Sequence, residues 1–273
     1  MNDYPHKEPH MDEFIARHTG ERLEELSGIA GRQPYASAGP RISPATLELL
    51  ETASQAGKLG RLVAGSRSAD LAPLVEAGLL TGKGALTSQG RLVTGPWHES
   101  FASLRASAQY QGLASDFQVW ISAEGCLVLA GPSVATMVSG SAGAEAHQVD
   151  FLAADHLYPA LAAWVGIAPA WNVASETTAV DSELVSARVL DRTVAPPASA
   201  DAPLVNMWQQ PWVIWRLIVE PDRTQAIPAT YLNAGNAGHY QLGADDAGTH
   251  LTPVPSSALY RVIAHQLDAL LHP

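Results

Sequence analysis

The residues with the most chemical potential crowd into the segment HQVDFLAADH, where His147, Asp150, Asp155 and His156 carry the donors of a metal site or of a general acid–base pair. Their spacing separates them. His147 and Asp150 are three apart in a segment that reads as a strand, so they point to opposite faces, while Asp155 and His156 belong to the cap and first turn of the next helix. Cys126, the one cysteine of the chain, sits in the apolar run CLVLAG and reads as a small core side chain. A lone cysteine excludes an intramolecular disulfide and a thiolate zinc cluster. His6, His10 and His18 lack a spaced carboxylate or cysteine to complete a ligand set and read as solvated. Gly82-Lys83-Gly84 lacks the four-residue gap and the Lys-Ser/Thr pair of a phosphate loop. The sequence predicts no catalytic residue, metal or cofactor, so function must come from architecture and surface.

The elements that would position a surface site are easier to read. With 273 residues, 47% of them hydrophobic, the chain can bury a sizeable core without staples. Its net charge of −11 is uneven: residues 1–30 carry 3 basic and 7 acidic groups, 31–140 carry 8 and 7, and 141–273 carry 5 and 13. An acidic second half repels phosphate backbones and favours neutral or basic protein surfaces over nucleic acid. The start has no basic stretch leading into an apolar one, and no later run approaches the length of a membrane span. A soluble cytoplasmic protein without membrane contact is expected.

Residues 1–42 read as a poorly ordered acidic segment with one predicted helix from Met11 to Leu26. Ser43 then caps a helix that Pro44 opens and Gly57 ends, and a second helix runs from Ser68 to Gly78. Thr87 or Ser88 caps a further helix, with Trp97, Phe101 and Leu104 as an apolar stripe. Residues 68–93 also permit a winged-helix reading, and hence a transcriptional regulator. The region offers only Lys83, Gln89 and Arg91 to a DNA groove, so a helical pair packed on a sheet is favoured.

Two stretches dominate the remainder of the chain, FQVWISAEGCLVLAG (Phe117 to Gly131) and PWVIWRLIVEPDRTQAIPA (Pro211 to Ala229), and both read as β-hairpins. In the first, Phe117, Val119 and Ile121 alternate with Gln118, Trp120 and Ser122 around the turn Ala123-Glu124-Gly125. In the second, Val213, Trp215, Leu217 and Val219 should face the core, leaving Trp212 and Arg216 on the outer face. VATMVSG and AHQVDFL add two predicted strands to the first copy, and a helix opening near Asp155 closes it. A helix from Glu176 to Leu190, capped by Ser175, and the linker-like APPASADAP connect the copies. The second copy continues through HYQLG and GTHLT into a helix from Pro255 with Leu259, Val262, Ile263, Leu267 and Leu270 as its stripe.

The expected fold is therefore α+β, one antiparallel sheet built from two pseudo-twofold related halves and flanked by helical bundles. The single domain spans 43–273, with a first half at 43–167, a connector at 168–210 and a second half at 211–273. Superposing the two hairpin turns aligns Trp120 with Leu217 and Val119 with Arg216, so the buried faces fall out of phase. The repeat is predicted at the level of architecture.

This order of elements resembles the EspG family, the cytosolic chaperones of actinobacterial type VII (ESX) secretion systems. The likeness is carried by LVEAGLLTGKGALTSQGRLV, the hairpin FQVWISAEGCLVLAGPS, HQVDFLAADHLYPALAAWVG, WNVASETTAVDSELVSARVL and the closing WVIWRLIVE to HQLDALL, roughly Leu71 to Leu271. The resemblance implies a protein without enzymatic activity. It would bind the apolar tip of a helical secretion substrate, the PPE member of a PE–PPE pair, and keep it soluble for export. It also points to the first hairpin's turn, the outer sheet face and the last helix, so Trp120, Glu124, Trp212, Arg216 and Tyr231 are the candidate cargo-binding residues. A homodimer is compatible with the same pattern. The alternative to a chaperone or regulator is a small-molecule-binding α+β protein or enzyme, with a pocket gathering His147, Asp150 or His239.

Overall fold

The computed structural model describes residues 35–141, 146–168, 176–220, 229–246 and 248–271. The predicted helix Met11–Leu26, the three early histidines, the turn after Glu220 and the cap at Ser175 lie outside these residues.

A strap from Tyr35 leads into β1 (Arg41–Ile42), followed by α1 (Pro44–Ala56), α2 (Arg61–Ser66), α3 (Ser68–Glu76), α4 (Ser88–Thr94) and α5 (Pro96–Glu99). Next come β2 (Ala102–Tyr110), β3 (Leu113–Ser122), β4 (Gly125–Ala130), α6 (Val134–Val138), β5 (His147–Leu152) and α7 (Ala154–Trp164). The connector and second half follow with β6 (Thr178–Val180), α8 (Ser182–Leu190), α9 (Ala202–Gln209), β7 (Val213–Glu220), β8 (Thr230–Asn233), β9 (His239–Asp245), β10 (Gly248–Val254) and α10 (Ser256–Leu271). The ten strands form one antiparallel sheet in the order β1-β5-β4-β3-β2-β7-β8-β9-β10-β6. That order is palindromic about the β2–β7 seam. Each half is a four-strand meander whose outer edge is capped by the short strand that opens the half.

The palindrome corrects the hairpin alignment. β7 is the counterpart of β2, and β8 of β3, so the hairpins β3–β4 and β7–β8 are offset by one strand, which accounts for their phase mismatch. The offset arises at β2, where the stripe of Trp97, Phe101 and Leu104 suggests a helix. The segment ASLRASAQY instead buries Ala102, Leu104, Ala106, Ala108 and Tyr110 at strand period. VATMV is a helix, because Ser133 caps it by accepting from the Thr136 N–H at 3.3 Å. In the connector, Val180 belongs to β6, and Asp181 caps α8 through the Leu184 N–H at 2.9 Å. Asp201 caps α9 in the same way, so the linker-like stretch ends in a helix. α7 starts at Ala154 without a side-chain cap, with Asp155 in its first turn and Pro159 inside the helix.

The two faces of the sheet are covered differently. On one, α7 and α10 lie together over β2, β3, β4 and β7, burying Leu157, Leu161, Trp164, Leu259, Ile263 and Leu267 against Phe117, Val119 and Trp215. We call this the closed face. On the opposite face, two separate groups of helices sit over the two ends of the sheet. Leu49, Leu50, Leu71, Leu74 and Val93 of the first group pack on Leu127, Leu129 and Val149 of β4 and β5. Val185, Leu204, Met207 and Trp208 of α8 and α9 pack on Leu232, Tyr240 and Leu251 of β8–β10.

Candidate binding face

Among the described residues, nothing is laid over the middle of the second face between those two helical groups, and we call it the open strip. Pairing places its residues: Arg105 lies opposite Gln118 on β3 and Ile218 on β7, and Ser107 lies opposite Arg216. Side chains two apart on one strand share a face. The strip is therefore floored by Ser103, Arg105, Ser107 and Gln109 of β2, Asp116 and Gln118 of β3, and Arg216, Ile218 and Glu220 of β7. Arg105, Gln109, Arg216, Ile218 and Glu220 are exposed, and their neighbours on the floor are half-buried. Phe101, just before β2, opens the strip's first-half side with 48% of its surface exposed.

Electrostatically the floor is held by pairs across strands. Arg105 forks onto Asp116, donating from Nε at 3.0 Å and from Nη2 at 2.7 Å. The carboxylate raises the guanidinium's already high pKa, so this cation stays charged at any working pH. Arg216 donates from Nε to the Thr230 hydroxyl at 2.9 Å. Such exposed contacts orient side chains more than they stabilise the fold.

The five sequence-predicted residues do not come together. Arg216 is on the open strip. Trp120 is on the same sheet face, half-buried at the margin of the first helical group, edge-on to Trp97 of α5 at 6.1 Å. Glu124 is exposed in the two-residue turn between β3 and β4. Trp212 shares the parity of Arg216, as the alternation required, but it is not on a wet surface: only 1% of it is exposed. α9 covers it, its indole N–H donates to the Met207 carbonyl at 2.9 Å, and the ring packs on Trp208 at 4.7 Å. The buried guanidinium of Arg188 stands 5.1 Å from the same ring and donates to the carbonyls of Trp208 and Gln210. Tyr231 is buried on the closed face, stacked on Trp215 at 4.7 Å. Sequence reasoning missed Arg105, Gln109, Asp116, Gln118 and Ile218. For Arg105 and Gln109 the signal was the alternation of Ser, Arg, Ser and Gln with Ala, Leu and Tyr in ASLRASAQY.

The other candidate chemistry is accounted for locally. Asp150 is buried and accepts from the Tyr35 hydroxyl at 3.0 Å and the Gly39 N–H at 2.9 Å, which ties the strap to β5. Burial and this carboxylate push the Tyr35 phenol well above its ordinary pKa. A groove of about 560 Å³ beside the strap is lined by Arg41, Glu76, Gln89 and Asp150, among others, and neither His147 nor His239 lines it. Burial alone pushes the Cys126 thiol up to about 11, away from thiolate reactivity. Among the described residues, no group of three or more His, Cys, Asp and Glu could hold a metal ion. None of the described helices is long and apolar enough to cross a membrane. In the stretch read as a possible winged helix, Leu71, Leu74, Leu79, Leu80, Leu86 and Val93 of α3, α4 and the loop between them are buried in the core over β4 and β5.

Comparison with known proteins gives a fold and no sequence family. No family model matches the chain, and no curated protein matches it. Among solved structures, the chain is similar to the Mycobacterium tuberculosis type VII secretion system chaperone EspG5, seen in complex with the PE25–PPE41 dimer. The TM-score is 0.50 at 11% sequence identity, over 84% of this chain and 95% of that one. The α+β architecture, an antiparallel sheet flanked by helices, is thus shared with a chaperone of that secretion system.

Proposed function

We propose that the protein is a chaperone of the type VII secretion kind, which holds a helical export substrate, such as a PE–PPE pair, by the tip and keeps it soluble in the cytoplasm. The observation that carries this reading is the unequal covering of the sheet. One face is covered by α7 and α10, while on the other the described residues leave a strip between two helical groups, with Arg105, Arg216 and Ile218 exposed on its floor. A strip with exposed apolar and arginine side chains suits a protein partner, since such residues are favoured at interfaces. Holding a helical tip requires shape and complementarity and no bond chemistry. The likeness to EspG5 supports the same reading from the fold. Within this proposal, Arg216 and Ile218 contact cargo from the floor and Trp120 from the margin. Glu124 adds a contact from the β3–β4 turn, while Trp212, under α9 on the same face, and Tyr231, on the closed face, act by holding the strip's strands in place.

The test is co-expression with each PE–PPE pair encoded in the same genome, followed by size-exclusion chromatography. A stoichiometric complex with at least one pair, whose PPE member is soluble only when the protein is present, is the expected result. If no pair co-elutes and no PPE protein gains solubility, the reading fails.

A further inference from the structure

The floor of the open strip has a symmetry that the helices around it lack. The β2–β7 ladder runs from Ser103↔Glu220 to Gln109↔Ile214, and its middle pair is Ala106↔Leu217. A twofold rotation about that pair carries Arg105 onto Arg216. The two arginines thus occupy diagonal positions across the seam, with backbones about 7–8 Å apart. Their partners differ. Arg105 is neutralised by its bidentate grip on Asp116. Arg216 has a threonine hydroxyl, and among the described residues no carboxylate meets it. Between them lies Ile218, directly opposite Arg105 and two residues along from Arg216, with 36% of its surface exposed.

We propose that the strip recognises a helical tip by an apolar side chain and a carboxylate presented together. The apolar residue seats on Ile218 between the two arginine stems, and the carboxylate enters the fork of Arg216. This deepens the chaperone reading and rests on it for the helical form of the partner. Charge favours a single carboxylate over a polyanion. Among the described residues the floor holds one cation that no carboxylate meets, with Asp116 and Glu220 nearby on a chain of net charge −11, so a phosphate backbone meets repulsion as soon as it extends beyond Arg216. The apolar half comes from the methylene stems, which with Ile218 make a small greasy platform at the centre of a polar floor. A buried apolar anchor beside a charge-assisted pair is the usual composition of an interface hot spot.

Three designed helical hairpins, identical except for Leu-Glu, Leu-Lys or Ser-Ser at the tip, supply the probes, titrated calorimetrically onto the full chain. The Leu-Glu tip should bind at least about tenfold tighter than the Leu-Lys tip, with Ser-Ser weaker than Leu-Glu. Arg216→Glu should invert the Glu–Lys order, and Arg61→Glu, on the exposed α2 and not among the floor residues, should leave it unchanged. Both positions are exposed, so unchanged denaturation midpoints will show that the fold is kept. Equal binding of the tips, an order that survives Arg216→Glu, or no binding of any hairpin each overturns the proposed tip chemistry. The chaperone reading stands or falls separately, on whether a PE–PPE pair forms a complex.

Discussion

Phe101 and Trp212 occupy the same place in the two halves of the sheet, and they end in opposite environments. Each immediately precedes a seam strand with the parity of the open side, and the register that relates Arg105 to Arg216 gives these two residues matching positions. Phe101 is 48% exposed and Trp212 is 1% exposed. The strands that carry them do not make the difference. α9 folds back over Trp212, offering the Met207 carbonyl to its indole N–H, while α5 ends just short of Phe101 and spends its own tryptophan, Trp97, on Trp120. An aromatic ring on a sheet becomes core or surface according to the helix laid over it. Trp212→Ala should therefore destabilise the protein by about 3–5 kcal/mol, as expected for deleting a fully buried ring. Phe101→Ala should stay within about 1 kcal/mol. Urea denaturation of both variants measures the contrast. A Trp212 variant as stable as the wild type would mean that α9 does not cover the ring in solution.

The same contrast explains what could and could not be read from the sequence. Parity along β7 was legible because Val213, Trp215 and Leu217 are large and alternate cleanly, and the structure buries all three on the closed face. The covering of Trp212 was not legible, since it depends on α9, whose start is signalled by Asp201 and Pro203 in a stretch that looks like linker. β2 was missed because its inward residues are mostly alanine. Ala106 and Ala108 stand where β7 has Leu217 and Val219, and small side chains give little hydrophobic period to detect. Missing β2 shifted the repeat by one strand and hid most of the candidate face. The β3–β4 hairpin, β5, the β9–β10 hairpin and the stripe of α10 were legible because turn signals or strong amphipathicity mark each of them. Only Val262 of that stripe departs, at 38% exposed.

A second matched pair lies on the closed face, where the ladders β3–β4 and β8–β9 bring Cys126 and His239 to corresponding positions. Both are buried, and burial favours the neutral form of each. For Cys126 this raises the thiol to about 11, and nothing changes near neutral pH. For His239 burial lowers the imidazole from 6.5 to about 4, partly opposed by a hydrogen bond with the Ala168 backbone. Between those two values the unfolded chain takes up a proton that the folded chain refuses, so stability is intact above about 6.5 and falls as pH drops toward 4. The slope contributed by this one group is at most about 1.4 kcal/mol per pH unit. His239→Asn should flatten that acid limb in denaturation curves taken from pH 7 to 4, and Cys126→Ser should leave its slope alone. An unchanged limb in His239→Asn would place the acid sensitivity elsewhere.

The smallest expected effect lies where the halves differ in how their seam strands turn. β2 reaches β3 through Gln111 and Gly112 alone, whereas β7 reaches β8 over residues 221–229. Both central residues of the short turn have positive φ, 48° at Gln111 and 80° at Gly112, which matches the hairpin turn whose twist suits that of its strands. Glycine adopts that backbone freely, but an ordinary side chain there costs about 1–2 kcal/mol. Asparagine recovers part of that cost, because its short polar side chain tolerates the left-handed region and bonds locally. Gln111→Asn should thus raise stability by about 0.5 kcal/mol, a fraction of the left-handed penalty. The turn holds Tyr110 against Leu113 and so fixes the register that brings Arg105 level with Gln118 and within reach of Asp116. If the first half takes its register from this turn, the gain should appear as faster refolding with little change in unfolding rate, since a hairpin formed early stabilises the transition state as much as the native state. A gain confined to the unfolding rate would instead mean that the seam with β7 sets the register, and that the two halves are one cooperative sheet from the first step.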